Sequence, residues 1–274
     1  MFEPQTLILI YIAGMALIVG SFLNMALARF HTGKSWNGRS QCMTCNHTLA
    51  WYDLVPLVSF VTLRGRCRYC GVAMGIRYLI VELMMLVWAL SLFVAVGWGW
   101  PFMFLFIIGA LLIFIIFYDM RHMIIPDTVV GLLVLVTLVA ILSLGWSAGY
   151  IYDPIFGNFI LDRLIALVAI PLPFFILWVI SGGRVMGLGD IKMMAWMGLS
   201  LGLFGGIEAL VMGFWVGGIV GMIILAMRGA VSVGLITSPR LKATLAQSEI
   251  PFGPFLATGY IAYVLGFHFL GILL

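Results

Sequence analysis

Residues 101–127 read PFMFLFIIGALLIFIIFYDMRHMIIPD. Eighteen residues from Pro101 to Tyr118 pass without a charge, and then Asp119 arrives. An apolar run of this length matches a helix crossing the hydrocarbon core of a bilayer. The run is continuous rather than alternating, which excludes a barrel strand. Asp119 therefore ends a membrane helix, where its charge meets the negative end of the helix dipole. Asp127 differs. It follows Pro126 and opens the next apolar run, where proline fits the first turn and an acid suits the helix N-terminus. Asp127 thus has a structural explanation that Asp119 lacks.

The same pattern recurs along the chain. It has 274 residues, 64% of them hydrophobic and 9% charged, with mean hydropathy +1.20. Soluble domains carry about 25% charged residues, so the chain reads as an all-α polytopic membrane protein. Eight spans are expected, at roughly 6–28, 78–97, 101–118, 127–145, 162–181, 191–204, 207–227 and 252–273. Met1-Phe2-Glu3-Pro4-Gln5 carries no positive charge and Arg29 follows the first run, which predicts an N-out anchor and not a cleaved signal peptide. Of the 14 Lys and Arg residues, all but Arg163 fall in the loops after spans 1, 3, 5 and 7. Those loops are expected in the cytoplasm, with both termini outside. The net charge of +4 follows from this bias and from contact with anionic lipid, not from nucleic-acid binding.

On this topology Asp119, Asp127 and Asp190 share the cytoplasmic edge. Asp190 closes Gly187-Leu188-Gly189-Asp190. It can cap the following helix, but capping needs no glycine pair. Carboxylates at a membrane edge are costly and mark function, and two held close share one proton and work as acid and base together. Lys192 would tune Asp190 if it turned inward, or would snorkel to the interface. Glu82, inside the second span, either pairs with Arg77 or serves a pocket.

All four cysteines lie in the one long polar stretch, residues 30–77. Cys42 and Cys45 form one C-x2-C pair, Cys67 and Cys70 the other. Four thiolates so spaced suit a closed structural zinc site. Two disulfides are the alternative, disfavoured in a reducing cytoplasm. His47 is a lesser candidate ligand. An insert this small needs such a staple. The sequence divides into a first membrane helix (1–29), a cytoplasmic zinc insert (30–77) and a transmembrane core (78–274).

Six elements in order resemble the prepilin peptidase (type IV leader peptidase) family. They are Gly20-Ser21-Phe22-Leu23-Asn24; Arg64 to Cys70; Arg77-Tyr78 with Val81-Glu82-Leu83, where Leu79 replaces the usual proline; Asp119 through Asp127; Gly187 to Asp190; and Pro251-Phe252-Gly253-Pro254-Phe255. The resemblance implies an aspartic endopeptidase of the GxGD type in a bacterial inner membrane, its site facing the cytoplasm. It would cut the basic leader of prepilins or pseudopilins after a glycine, in type IV pilus, type II secretion or competence systems. It places Asp119 and Asp190 at the catalytic positions. It also implies methylation of the new N-terminus by S-adenosylmethionine, associated with the four-Cys insert and with Gly65. Another GxGD intramembrane protease is a rival reading, though it would not need the cysteine insert. A proton-coupled transporter is a second rival, resting on the intramembrane carboxylates.

Overall fold

The structure, a computed structural model, describes residues 4–32, 35–36, 38–144, 158–232 and 251–273. Of the basic residues used for orientation, Lys34, Arg240 and Lys242 lie outside the described residues. The described residues are mostly helical, with no strand and two isolated antiparallel bridges, Gln41–Thr48 and Arg66–Ala73. The helices are α1 (Pro4–Arg29), α2 (Val58–Thr62), α3 (Arg77–Val96), α4 (Trp100–His122), α5 (Asp127–Leu144), α6 (Phe159–Ala169), α7 (Leu172–Ser181), α8 (Leu188–Ser232) and α9 (Gly253–Leu273).

Five stretches are long and apolar enough to cross a membrane: Gln5–Arg29, Arg77–Val96, Trp100–His122, Phe159–Ser181 and Leu188–Gly229. The expected count of eight is therefore not what length and composition give among the described residues. Asp127–Ser143 is apolar but shorter. Phe159–Ser181 is two helices, because Pro171 lacks the amide that would continue α6. The sixth and seventh expected spans join in α8. Leu188–Gly229 has 42 residues, about 63 Å of helix against about 30 Å of hydrocarbon. The run is broken at Gly202, whose φ of 77° and ψ of −174° are non-helical. The expected spans 191–204 and 207–227 leave Gly205-Gly206 between them. Those glycines stay helical, and they are small for packing reasons: a Cβ on Gly205 would lie 2.7 Å from the Tyr263 hydroxyl, and one on Gly206 would strike Ile170.

The chain forms two compact units, Met1–Phe114 and Ile115–Leu274. In the first, α1 packs on α3. Gly20 permits the approach, since a Cβ there would sit 3.0 Å from the Glu82 Cα. Ile12, Ala16, Val81, Met85 and Ala89 are fully buried along this unit's core.

In the second unit α8 is the central helix, contacted by α5, α6, α7 and α9. Lipid tails are as apolar as leucine, so association depends on close packing and interhelical polar contacts. Both occur. Gly198 and Gly259 are small because a Cβ would strike the Ala166 and Ala209 carbonyls. Trp196 donates to Thr137 at 2.9 Å and its ring tilts on Tyr260, 4.7 Å between centroids. Ser200 and Tyr260 share a buried hydrogen bond of 2.7 Å.

The Gly202 break frees backbone groups that water cannot reach. α6 supplies their partners. The Arg163 guanidinium donates to the Leu199 carbonyl at 2.7 Å and also to that of Ser200. The Asp162 carboxylate accepts from the Leu203 amide at 3.1 Å. Asn158 starts α6 as a cap, accepting from the amides of Ile160 and Leu161 at 3.1 and 3.2 Å. Arg163, the one cation outside the topology pattern, is thus a buried cap and not a surface charge.

Candidate active site and metal centre

α4 carries Asp119 in its last turn and stops at Met123, whose left-handed φ of 53° accompanies an amide bond to the Asp119 carbonyl at 2.8 Å. The Asp119 side chain is only 3% exposed. Its carboxylate accepts from the backbone amide of Gly253 at the start of α9. Gly253 is in contact with it: a Cβ there would fall 2.5 Å from Asp119 Oδ2 and 2.9 Å from Ile125 Cδ1.

Asp190 is the third residue of α8 and not the residue before it. Its carboxylate reaches back to accept from the Gly187 amide, which is half of a capping box. A Cβ on Gly187 would lie 3.3 Å from Asp190 Oδ2, and one on Gly189 would lie 3.0 Å from Ile125 Cβ. Ile125, buried before Pro126, thus packs against both Gly253 and Gly189. It links the start of α9 to the glycine turn that presents Asp190. Asp119 and Asp190 lie within electrostatic reach of each other. Each acid has a backbone amide holding it, so each retains lone pairs for water, substrate or its neighbour.

Asp127 is not in this pair. It is exposed and accepts from Lys192 Nζ at 2.7 Å. This settles Lys192 too: it pairs with Asp127 and does not turn to Asp190. Glu82 lies in the amino-terminal unit, 8% exposed, accepting from the Leu57 amide at 2.8 Å. The Arg77 guanidinium lies instead over the Tyr78 ring at 5.4 Å. Sequence reasoning gave no role to Gly253 or Ile125. The only signal for Gly253 was its glycine in the Pro-Phe-Gly-Pro element.

The four cysteine sulfurs lie within 4.8 Å of one another, with Cys42 Sγ and Cys70 Sγ 3.8 Å apart. Zinc–sulfur bonds of about 2.3 Å in a tetrahedron give edges of about 3.8 Å, so the set fits zinc. Both knuckles repeat one plan. Asn46 (φ 54°) and Gly71 (φ 69°) follow the second cysteine of each, and their amides donate to the Cys42 and Cys67 carbonyls at 2.9 Å. Cys42 and Cys67 in turn donate from their amides to His47 and Val72. The Cys45 and Thr44 amides lower the Cys42 thiol to about 6. Cys70 is raised to about 12; loss of solvation and the neighbouring thiols outweigh the Val72 amide. His47 is not in the cluster; its ring stacks on Tyr69 with centroids 3.7 Å apart.

Asp53 joins the second knuckle to the 3-10 turn Trp51–Asp53. It accepts from Arg68 Nε at 2.7 Å and from the Tyr69 hydroxyl and the Ala50 amide, each at 3.2 Å. Burial works against its charge, yet these donors hold the carboxyl below the usual carboxylate range. Gly65 adopts a φ of 65°, and a Cβ there would meet the Phe60 ring at 3.0 Å. Phe60, Asn24, Asp53, Cys42, Met74 and Glu82 help line a cavity of about 370 Å³. Gly65 shapes that cavity through Phe60 without lining it.

A helical membrane chain with two neighbouring aspartates held by glycine amides and a separate four-thiol insert defines a class of GxGD-type membrane proteins. Residues 15–96 match the bacterial peptidase A24 N-terminal domain and residues 105–223 the type IV leader peptidase family. The chain belongs to the type IV leader peptidase family. It is similar to the "Prepilin leader peptidase/N-methyltransferase" proteins of several bacteria. It is 30% identical to that of Myxococcus xanthus over 231 residues, 83% of this chain and 66% of the relative. For Aeromonas salmonicida the values are 30% over 242 residues, 83% and 72%. For Pseudomonas aeruginosa they are 29% over 285 residues, 92% and 88%. No solved structure gave a significant match.

Proposed function

We propose that this chain is a prepilin leader peptidase that also methylates the amine it creates. One observation carries the peptidase reading: the carboxyls of Asp119 and Asp190, brought from α4 and α8, lie in electrostatic reach while glycine amides fix both. The ionised member takes a proton from water, and that water attacks the scissile carbonyl. The protonated member gives its proton to the leaving amine as the C–N bond breaks. The pair titrates as a unit, so neither acid nor base is assigned to one residue. Gly187 and Gly189 allow the close approach of Asp190 and Ile125. Asp127 and Lys192 support the loop as an exposed ion pair.

The substrates are prepilins or pseudopilins of a pilus, secretion or competence system, cut after a glycine at the cytoplasmic face of the inner membrane. Both termini face outward, and the apolar helices α5 and α9 lie in the bilayer with the five long stretches, with the Gly202 break dividing α8 into two spans. Residues 30–77 form the cytoplasmic insert that serves methylation, and the core from 78 onward carries cleavage. Cys42, Cys45, Cys67 and Cys70 hold zinc, with no open position for catalysis. S-adenosylmethionine supplies the methyl group. The 370 Å³ cavity of the amino-terminal unit lies in the range of small-molecule sites, about 300–1,000 Å³.

The test is leader removal from a purified prepilin. Asp119→Asn and Asp190→Asn should each lower cleavage by roughly 100-fold or more, the usual scale of a lost acid or base, while still inserting. Asp127→Asn should keep measurable activity, because an exposed ion pair contributes little. An inactive Asp127→Asn beside an active Asp119→Asn would overturn the assignment.

A further inference from the structure

The cavity of the amino-terminal unit is lined by polar and apolar side chains together. Asn24 of α1 and Glu82 of α3 form its helical side, where Gly20 lets the two helices cross closely. The four-Cys insert contributes walls through Cys42 and Met74, and Phe60 and Leu54 add apolar surface.

Both of these residues are incompletely satisfied. Asn24 is 4% exposed; its Nδ2 donates to the Tyr78 carbonyl at 2.9 Å, but its buried Oδ1 has no partner. A buried carbonyl without a donor is costly. Glu82 has the Leu57 amide on one oxygen, and no ion pair to it forms among the described residues. Of the other charged groups lining the cavity, two are engaged elsewhere, and the third, Arg39, makes no ion pair to Glu82 among the described residues. Asp53 is held by Arg68. The Arg29 guanidinium donates to the carbonyls of Ser35, Trp36, Gly38 and Arg39. A carboxylate lacking a cation and a carbonyl lacking a donor are both satisfied by a group with positive charge and several N–H bonds. A sulfonium has the charge but no hydrogen to give Asn24. A primary ammonium has both.

We infer, on the strength of the methyl-transfer reading above, that Asn24 and Glu82 form a receptor for a primary ammonium group on the helical side of this cavity. Two ligands of that chemistry belong to the reaction. One is the amino-acid tail of the methyl donor; the other is the free N-terminus left by leader cleavage.

The experiment uses the zinc-loaded full chain in detergent and measures binding, not turnover. The probes are S-adenosylmethionine and a short peptide with a free N-terminal phenylalanine, each with a control whose amine is acetylated. The wild type should bind at least one amine probe and reject its acetylated form; which probe it is identifies the source. Glu82→Gln keeps an acceptor for Leu57 and should weaken that probe roughly tenfold or more, the scale of a lost charge-assisted hydrogen bond, while the variant still binds zinc. A second measurement needs no variant: the same probe should protect Glu82 of the wild type from carbodiimide labelling, read by mass spectrometry. Equal binding by wild type and Glu82→Gln, or tight binding of the acetylated probe without protection of Glu82, overturns the receptor and leaves methylation standing. Failure of the wild type to bind either probe while it still cuts leaders overturns the methyl-transfer reading, and the receptor with it.

Discussion

At the scale of single residues, Gly253 sets the position of one catalytic candidate. Its amide feeds the Asp119 carboxylate, and its missing Cβ leaves space for Oδ2. Gly253→Ala places a methyl 2.5 Å from that oxygen, so the carboxyl must move. Displacements of about 1 Å at a reacting group cost roughly 100-fold, and leader cleavage should fall on that scale. Zinc content and the amine binding of the other unit should not change. Asp119 and Asp190 were legible in the sequence because each breaks a local rule. One sits at the wrong end of a helix dipole, and the other follows glycines that capping alone does not need. Gly253 was not legible, since its reason is a partner far away in the chain.

Among the elements, the two cysteine knuckles and the broken helix α8 give contrasting cases. The knuckles were readable from spacing alone, because thiolate pairs two residues apart fit one tetrahedral ion. The stitch through Asp53 was not, because its partners Arg68 and Tyr69 are recruited only once the insert folds. The Asp53 carboxyl is depressed in the folded protein. Its contribution is therefore complete above the unfolded value of about 3.9 and is lost as pH falls through the lower folded value. The gap in protease resistance of the insert between wild type and Asp53→Asn should be full at pH 6 and close as pH drops below about 4. In α8 the boundary between the expected spans 191–204 and 207–227 lies a few residues past the break at Gly202, since Gly202, Gly205 and Gly206 look alike in sequence. Only the partners in α6 distinguish them. Arg163→Leu strips donors from two buried carbonyls, at about 1–3 kcal/mol for each unsatisfied group. Thermal unfolding of the variant in detergent should begin at a clearly lower temperature, and Asp127→Asn serves as the unaffected control.

For the whole molecule, helical membrane character was legible from composition, but the count of spans was not. Eight apolar runs were counted, and five helical stretches meet the criteria of length and composition among the described residues. Glycine and length explain part of the difference: the flanks of Gly202 fuse two runs into one interrupted helix, and Asp127–Ser143 falls short of a full span. The aspartates and the thiol cluster belong to different compact units. Structural zinc supplies on the order of 10 kcal/mol in small folds. Cys42→Ser should therefore lose the metal by elemental analysis, and its insert should become protease-sensitive. Leader removal by that variant should persist. A variant that loses both functions together would refute this division of labour.

The hydrogen bond that the Gly187 amide donates to the Asp190 carboxylate has a practical corollary. Asparagine keeps a carbonyl oxygen that can accept the same bond, whereas alanine would leave the first turn of α8 uncapped. An Asp190→Asn protein is thus disarmed without being unravelled. It becomes bait: incubated with an uncut precursor, it should hold the intact leader in place long enough for the arrested complex to be imaged.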